Sequence, residues 1–384
     1  MATADPRAAA GTLPDEVAAA LADWLRATVG LRAAPSDRRE LERRLRAAQH
    51  DFGFDDLEEF VRWLVVQAPS QTQIEKLAAR LTIGETYFFR ENQALLALRT
   101  ALLPPLLAAR RTSERRLRLW SAGCSTGEEA YSLAMLLDQA LPDAASWNVS
   151  ILATDINPVA LRKAEEGVYT EWSFRGTPAW VRRRYFEALD GGRSRVVPEL
   201  RRAVTFSYLN LSDDTYPSLQ TGTNAMDFIF CRNVLMYFAP AQVTAVAERF
   251  HRCLLDGGYL VVSPVETPFL TGSPFAPERH HGWTLHRKSG DARRAGPATA
   301  RAAGGPERAG LPDAGPGQFE VEVGFHCRVH EAGQHGVVKG APPAGELLLG
   351  ALLRRGGNRP RPIRRDLRLG LHEIRPHHAA RKGH

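Results

Sequence analysis

Two glycines and two carboxylates stand close together in the segment 121–129, and their spacing is typical of a nucleotide-binding loop. Gly123 and Gly127 are separated by three small residues. Glycine lets the backbone approach a ligand that a side chain would push away. The spacing is Gly-x-x-x-Gly and not the Gly-x-Gly-x-x-Gly of dinucleotide-binding loops. We therefore expect a nucleoside-like ligand at this loop.

Glu128 and Glu129 begin the helix that is predicted after the loop, and they constrain the charge of the ligand. A helix N-terminus attracts anions and suits a pyrophosphate, whereas two carboxylates there would repel one. A ligand with positive charge, such as the sulfonium and amino groups of S-adenosylmethionine (SAM), fits these residues. The alternative is that both glutamates only stabilise the start of the helix, an effect of about 0.3–1 kcal/mol.

Four more polar residues follow predicted strands. Asp155 ends the second strand, Asn210 follows a later one, and Arg232 and Asn233 follow a third. The carboxyl ends of strands in an open α/β sheet meet in one crevice, so these side chains are expected to converge with the loop at Gly123. Asp155 holds the position at which doubly wound nucleotide domains bind ribose hydroxyls. Alternatively, it caps the helix predicted at 158–166.

Alternating strands and helices must position these residues. An apolar run at 117–120 predicts a buried strand, and the following segment has apolar residues at the i, i+3, i+4, i+7 spacing of a helix. Further strands are predicted at 147–153, 226–230 and 259–263, with helices at 158–166 and 240–255. This pattern predicts an α/β domain with a doubly wound sheet. The segment 185–206 interrupts it and predicts a small antiparallel insertion with a tight Gly-Gly turn.

Residues 13–82 are predicted to form a small all-helical domain, because four segments carry helical apolar stripes. The second helix, for which Ser36 or Asp37 is the expected cap, is dense in arginine. Arg39, Arg43 and Arg46 share one of its faces. That face is either a solvated surface with ion pairs inside the helix or a docking surface for an acidic protein partner.

The segment 82–91 joins this helical region to the α/β domain. Its aromatic triplet at 87–89 is expected to pack in the core, and Arg90 follows directly. An arginine beside packed aromatic rings either extends its charged end to water or binds a carboxylate. The next helix is expected to end at Leu103, because Pro104 and Pro105 follow it.

The distribution of charge argues against nucleic-acid binding by the folded part. The chain has 384 residues and a formal net charge of +7, and residues 291–384, with 16 Lys/Arg and 9 Asp/Glu, account for all of it. The segment 290–384 is rich in Gly, Pro, Ala and Arg, so we expect a disordered tail. The four cysteines have neither paired nor metal-like spacing, so no metal site is expected. No stretch predicts a signal peptide or a membrane span, and a cytoplasmic protein is expected.

Several of these motifs together resemble the CheR-type chemotaxis receptor methyltransferases, which are protein-glutamate O-methyltransferases. The matching segments are TIGETYFFRE (82–91), WSAGCSTGEEAYSLAMLL (120–137), ILATDINPVALRKAEEGVY (151–169), FSYLNL (206–211) and MDFIFCRNVLMYF (226–238). The resemblance covers about residues 13–288. It implies a helical domain at 13–82 and a Rossmann-like SAM-dependent methyltransferase domain at 91–289 with a β-subdomain at about 185–206. The implied activity is methyl-esterification of glutamate side chains on the cytoplasmic helices of chemoreceptors, with S-adenosylhomocysteine (SAH) as product.

The resemblance also implies roles for individual residues. The cofactor would contact Thr86 and Arg90 at its methionine end, Gly123 in the loop, Glu129 at the amino group, Asp155 at the ribose, Asn210 and Leu211 at the adenine, and Arg232 and Asn233 at the pocket floor. Tyr237 would stand at the reacting methyl group, and together with Arg232 it would orient the acceptor carboxylate. Arg90, Arg232 and Tyr237 are thus the implied catalytic residues.

Three features depart from the family pattern. Gly84 stands where members often have asparagine, so one cofactor contact is either missing or made by the backbone. The loop at 190–193 is shorter than in members that bind a receptor C-terminal peptide, which argues against such tethering. The segment 263–266 resembles members that carry tetratricopeptide repeats, but the tail has no helical repeat.

Two other classes of function stay open at this point. One is a methyltransferase with a different acceptor, such as a nucleic acid or a small molecule, and the other is a SAM-binding regulatory or scaffold protein with the same fold. The Asn-Pro-Pro-Tyr type of motif used for amide or base nitrogens is absent. Arg90, Asp155 and Tyr237 are all present. The sequence therefore favours the protein-glutamate methyltransferase.

Overall fold

The computed structural model describes residues 12–32, 37–82 and 84–290. The chain begins with four helices: α1 (Asp15–Val29), α2 (Arg38–Gln49), α3 (Leu57–Val66) and α4 (Gln71–Leu81). Their apolar stripes meet in a core of their own, in which Leu21, Leu45 and Phe60 are almost fully buried. Ser70 begins α4 with a capping box, in which its hydroxyl accepts from the Gln73 amide and the Gln73 side chain accepts from the Ser70 amide. Of the two caps expected for α2, Asp37 occupies the N-cap position and Ser36 lies outside the described residues.

The helical run after Arg90 does not end at Leu103, so that expectation is wrong. It consists of α5 (Asn92–Ala97), one π-helical turn (Leu98–Leu102) and α6 (Leu103–Arg110). Pro104 and Pro105 stand in the first turn of α6, where the fixed φ of proline is compatible with a helix. The wider π turn before them lets the chain continue as a helix.

A seven-stranded sheet forms the centre of the α/β part. Its strands are β1 (Arg116–Ala122), β2 (Asn148–Asp155), β6 (Val204–Tyr208), β7 (Met226–Phe230), β8 (Leu254–Val261), β9 (Phe275–His280) and β10 (Trp283–Lys288). They lie in the order β6-β2-β1-β7-β8-β10-β9. The first five of these are parallel, and only β10 and β9 run antiparallel to their neighbours. The predicted doubly wound α/β class is confirmed, and the terminal β9–β10 hairpin is an addition to it.

Helices cover both faces of this sheet: α7 (Glu128–Ala140), α8 (Pro158–Glu166), α10 (Pro198–Ala203) and α11 (Pro240–Cys253). Alternate residues of β1 enter different cores, because successive side chains of a strand point to opposite faces. Leu119 packs in the core that contains Leu133 of α7, and Trp120 packs in the core that contains Phe250 of α11.

The small antiparallel sheet is confirmed, but its bounds differ from the expected 185–206. It consists of β3 (Val168–Tyr169), β4 (Phe186–Ala188) and β5 (Ser194–Val196) in the order β3-β5-β4, with α9 (Ala179–Tyr185) before β4. The Gly-Gly turn joins β4 to β5, and Gly191 and Gly192 both have positive φ. Residues 204–206 belong instead to β6, which pairs in parallel with β2 at the edge of the main sheet. Val204, Thr205 and Phe206 all favour a strand, but a run of three such residues fits either sheet, so the sequence alone could not assign it.

Within the described residues, none of the helices combines the length and the apolar composition of a membrane span. Of the tail predicted at 290–384, residues 291–384 lie outside the described residues.

Candidate active site

A cavity of about 470 Å³ lies at the carboxyl ends of the parallel strands. This volume is within the range of about 300–1,000 Å³ that is usual for small-molecule sites. All residues expected at the site lie around it: Thr86, Arg90, Gly123, Glu129, Asp155, Asn210, Leu211, Arg232, Asn233 and Tyr237. Its opposite wall comes from the helical region, through Leu25, Val29 and Leu81 among others. No motif in the sequence indicated this second wall.

The glycine loop between β1 and α7 is folded so tightly that its glycines are required. Gly123 has φ +83°, and a Cβ there would lie 2.4 Å from Cγ2 of Val234. Gly127 has φ +91°, and a Cβ there would lie 2.8 Å from Cβ of Ala164. The amides of Gly123 and Cys124 both donate to the Thr154 carbonyl, at 2.7 and 2.9 Å. The loop is therefore fixed against the end of β2, next to Asp155.

Asp155 holds the loop with its side chain. Its Oδ2 accepts from the Ser125 amide and its Oδ1 accepts from the Asn157 amide, both at 2.8 Å. Burial raises the pKa of Asp155, and the backbone hydrogen bonds oppose this shift. The alternative of a helix cap is wrong, because Oδ1 of Asn157 accepts from the amides of Val159 and Ala160 and so caps α8.

Glu128 and Glu129, which the sequence could not distinguish, have different surroundings. Glu129 lines the cavity and accepts from the Ser121 hydroxyl at 2.7 Å. Glu128 is 2% exposed and accepts from the hydroxyls of Thr126 and Ser173, at 2.6 and 2.9 Å, so it ties the loop to the segment before α9. Burial raises the pKa of both carboxyls. Only Glu129 is placed to meet a ligand.

Arg232 lies behind Glu129 with its side chain 3% exposed. Its Nη1 donates to Glu129 at 3.1 Å, and its Nη2 donates to Glu91 at 2.9 Å and to the Arg90 carbonyl. The positive charge opposes the effect of burial on the pKa of Glu129. Two carboxylates of this chain thus accept hydrogen bonds from the guanidinium, and the expected role of Arg232 in orienting an acceptor carboxylate stays a prediction. In this geometry Arg232 positions Glu129 and the residues around Arg90.

The segment that carries Thr86 and Arg90 is anchored by Phe88, which is 1% exposed. The ring of Phe88 packs against Phe174 and Phe186, with centroid distances of 5.2 and 5.0 Å. Arg90 donates from Nη1 to the Glu85 carbonyl at 2.7 Å. Its neighbours Phe89 and Glu91 have φ values of 58° and 50°. Such conformations are uncommon for side-chain-bearing residues and cluster at functional sites.

Asn210 and Leu211 form another side of the cavity. The Asn210 amide nitrogen donates to the Thr28 carbonyl at 3.1 Å and to Asp213 at 2.8 Å, and its oxygen accepts from the Ser212 amide at 3.0 Å. These bonds fasten the end of α1 to the α/β part. The side chain of Asn210 therefore stabilises this wall of the cavity, whereas Leu211 contributes an apolar surface to the wall.

Tyr237 is 37% exposed at the edge of the cavity. It ends a short 3₁₀ turn (Leu235–Tyr237), and its carbonyl accepts from the Arg32 amide at 2.7 Å. Burial raises the pKa of Tyr237, and the positive charges of Arg90 and Arg44 oppose this. Tyr237 thus lies between the helical region and Arg90.

The arginine face of α2 combines exposed and paired side chains. Arg39 and Arg43 are exposed, and Arg46 is half-buried. Arg43 donates to Glu40 at 2.6 Å, and Arg46 lies 3.9 Å from Glu42. The expected ion pairs inside the helix are therefore present.

The residues around the cavity fit SAM. Glu129 offers a carboxylate to an amino group, and Asp155 offers one to hydroxyl groups. The hydroxyl of Ser125 is buried and has no hydrogen-bond partner among the described residues, although it lines the cavity. A buried polar atom without a partner in the protein can bond a ligand.

The comparisons with known proteins agree with this geometry. Residues 84–271 match the family model described as the CheR methyltransferase, SAM binding domain. A chemotaxis protein methyltransferase of Borreliella burgdorferi is 33% identical over 229 residues, which are 59% of this chain and 79% of that protein. Another, of Vibrio parahaemolyticus, is 32% identical over 264 residues, which are 68% of this chain and 92% of that protein. A probable biofilm formation methyltransferase of Pseudomonas putida is 35% identical over 268 residues, which are 67% of this chain and 61% of that protein.

Proposed function

Because this chain belongs to the CheR methyltransferase family and is a SAM-dependent methyltransferase, we propose that its acceptors are glutamate side chains on the cytoplasmic helices of chemoreceptors. The products would be glutamate methyl esters and SAH, and the protein would act in the cytoplasm. Two of the relatives compared above are named chemotaxis protein methyltransferases. The observation that carries the proposal is Glu129, a carboxylate at the start of α7 that lines the cavity with its side chain 14% exposed and is available to the amino group of the methyl donor.

The proposed cofactor contacts follow from the charges around the cavity. Glu129 binds the amino group of SAM, and Arg90, which lines the cavity together with Thr86, binds its carboxylate. Asp155 and the hydroxyl of Ser125 bind the ribose. Leu211 borders the adenine, while Asn210 holds this wall in place. Gly123 and Asn233 complete the cavity with their backbone.

The proposed chemistry needs little from the protein beyond binding and orientation. Bound SAM supplies a methyl group that is electrophilic because it is attached to a sulfonium. A glutamate acceptor is already ionised near pH 7, so no general base is required. Tyr237, half-exposed at the edge of the cavity, orients the acceptor carboxylate. The apolar wall of Leu25, Val29 and Leu81 excludes water, which strengthens the attraction between the carboxylate and the sulfonium.

The proposed docking surface for the receptor is the face of α2 that carries Arg39, Arg43 and Arg46. An acidic helix would be attracted to it by charge. Arg39 and Arg43 are exposed, and Glu40, which partners Arg43, lines the cavity together with Arg44. A receptor helix bound to this face would thus lie beside the cavity.

The first test is isothermal titration of the protein with SAH. Asp155→Ala is expected to lose measurable binding, because it removes both the ribose partner and two hydrogen bonds that shape the loop. The matched control is Asp143→Ala, since Asp143 pairs with Arg111 away from the cavity. Equal affinity of the wild type and Asp155→Ala would refute the assignment of this cavity.

The acceptor is tested by transfer of radiolabelled methyl groups to membranes that contain chemoreceptors. Label on the receptor band that base releases as methanol would identify a carboxyl ester. Reversal of the docking charges, Arg39→Glu with Arg43→Glu, is expected to raise the KM for receptor without changing SAH affinity. The control is Arg26→Glu with Arg62→Glu, which changes the same charge at exposed positions of α1 and α3. Base-stable label would contradict the glutamate acceptor, and an unchanged KM would contradict the docking surface.

A further inference from the structure

Glu266 is a fully buried carboxylate to which the proposed chemistry assigns no role. Its Oε1 accepts from the amides of Val234 and Met236, at 2.7 and 3.3 Å. Its Oε2 accepts from the amides of Asn233 and Ser263, at 2.8 and 3.0 Å, and from the Ser263 hydroxyl at 2.6 Å. In the part of the chain that the structure describes, it forms no ion pair with a basic side chain. Its charge is stabilised by backbone amides and one hydroxyl.

These hydrogen bonds connect two loops at the carboxyl ends of the parallel strands. Ser263 follows β8, whereas Asn233, Val234 and Met236 belong to the loop 231–238 that follows β7. Asn233 has φ 60°, a conformation that a side-chain-bearing residue keeps only when its surroundings hold it. Met236, whose amide donates one of these hydrogen bonds, directly precedes Tyr237. Glu266 therefore determines where the loop 231–238 lies.

The same loop forms part of the cavity. Val234 contacts the glycine loop so closely that a Cβ on Gly123 would overlap it, and Asn233 and Tyr237 line the cavity. A displacement of the loop would consequently move Tyr237 relative to the bound methyl donor.

We propose that Glu266 is a positioning residue, which holds the loop 231–238 so that Tyr237 faces the acceptor at the methyl-donor cavity. The inference rests on the proposed function for the role of Tyr237. A carboxylate is needed because four amides and one hydroxyl donate to its two oxygens. A glutamine would present one oxygen and an NH₂ group, and the latter would meet amide donors.

The first experiment does not depend on the acceptor. Hydrogen exchange is measured by mass spectrometry on the peptide that spans 231–238, in the SAH complexes of the wild type and of Glu266→Gln. Exchange in this peptide is expected to rise by about tenfold, because loss of a hydrogen bond to a charged group is of that order. Peptides of β1 and α7 serve as internal references. Glu278→Gln is the matched control, since Glu278 accepts from Tyr259 on β8, outside the residues that line the cavity. Unchanged exchange in Glu266→Gln would overturn the proposal whatever the acceptor is.

The second experiment separates positioning from general stability. The activity of each variant is expressed per SAH-binding molecule, so that unfolded protein does not count. Glu266→Gln is expected to lower kcat by roughly 10- to 100-fold and to weaken SAH binding by a smaller factor, because Tyr237 lies on the loop itself, whereas Glu129, Asp155 and Arg90 lie on other segments and the loop reaches Glu129 only through Arg232. Combined with Tyr237→Phe, it is expected to cause no further loss, since both changes act on the same group. Multiplicative losses, or an activity per binding site equal to that of the wild type, would refute the role. If the wild type binds SAH but methylates no receptor, the proposed acceptor fails, and the exchange experiment alone decides on Glu266.

Discussion

Replacing Gly123 by alanine tests the construction of the cofactor loop most directly. The added Cβ meets two obstacles: the backbone has φ +83°, and Cγ2 of Val234 would lie 2.4 Å away. A contact this short requires one of the two loops to move. Since the Gly123 amide also donates to the Thr154 carbonyl at 2.7 Å, the glycine loop cannot move without losing its attachment to β2.

The two obstacles can be given separate magnitudes. The left-handed conformation costs a residue with a Cβ about 1–2 kcal/mol. Overpacking of a close contact costs about 1–3 kcal/mol more. Gly123→Ala should thus reduce the free energy of unfolding by about 2–5 kcal/mol, which corresponds to a decrease in Tm of roughly 3–9 °C for a folded part of this size. SAH affinity should fall as well, because the loop carries Ser125 and contacts Asp155.

The measurements are thermal unfolding and titration with SAH. Two further variants separate the cost of the positive φ from the cost of the close contact. Gly272 has φ +80°, but a Cβ at this position would have no atom within 4 Å, so Gly272→Ala measures the cost of the backbone conformation alone. Val234→Ala removes the contacting methyl groups, so Gly123→Ala should cost only about 1–2 kcal/mol in that background. An equally large cost of Gly123→Ala with and without Val234→Ala would refute the steric explanation.

Three other perturbations test the charges and stacks around the cavity. Burial raises the folded-state pKa of Glu129 above 4.5, so its contribution to stability is complete below pH 4.5 and is lost as the pH rises through the folded pKa. In the proposed complex the ionised Glu129 binds the amino group of SAH, so the affinity for SAH should fall as the pH decreases. Glu129→Gln should bind SAH weakly and with a flatter pH profile. A wild-type affinity that rises on acidification would contradict this role. Arg232→Met leaves Glu129 and Glu91 without their cation and should cost about 3–5 kcal/mol in urea unfolding, whereas a neutral result would show that the pairs are solvated. Arg175 lies between the rings of Tyr87 and Trp172, at 4.1 and 4.2 Å, and pairs with Glu85 at 3.0 Å, so Arg175→Ala should loosen the segment of Thr86 and weaken SAH binding several-fold. Arg184→Ala, which removes a pair with Asp138 and a contact with the ring of Tyr185 outside the cavity, should leave binding unchanged.

The sequence predicts those parts of the fold and of the site whose structure is determined by residues close to one another along the chain. The glycine loop, α7 and the strand before them form one continuous segment, so spacing and apolar periodicity were sufficient to predict them. Asp155 was predictable because the carboxyl end of a parallel strand next to such a loop has few possible surroundings. The same rule placed Asn210 and Asn233 at the cavity, although it said nothing of what their side chains would bond.

Contacts between distant segments escaped prediction for a physical reason. Arg232 pairs with Glu91, which is 141 positions away, and an arginine that follows a strand has many carboxylates as possible partners. Residues 204–206 could pair with either sheet, because β-propensity carries no information about the partner strand. Glu266 was not recognised since four of its five hydrogen-bond donors are backbone amides. The direction of a backbone amide depends on the backbone conformation, such as the positive φ of Asn233, and not on the type of a side chain.

Two groups of residues in the helical region affect the site in different ways, and variants in the two groups should therefore be interpreted differently. Leu25, Val29 and Leu81 line the cavity, so they affect the polarity around the reacting groups and hence the attraction between opposite charges. Arg39 and Arg43 lie on the exposed face of α2, where solvent and salt weaken their influence on a buried ligand. Truncation of a wall residue should therefore change SAH affinity at any salt concentration. Reversal of the arginines should change only the KM for an acidic partner, and that effect should decrease with added salt. The proposed recruitment of an acceptor and the closing of the cavity can thus be tested separately, because the apolar and the basic residues of the helical region occupy different faces.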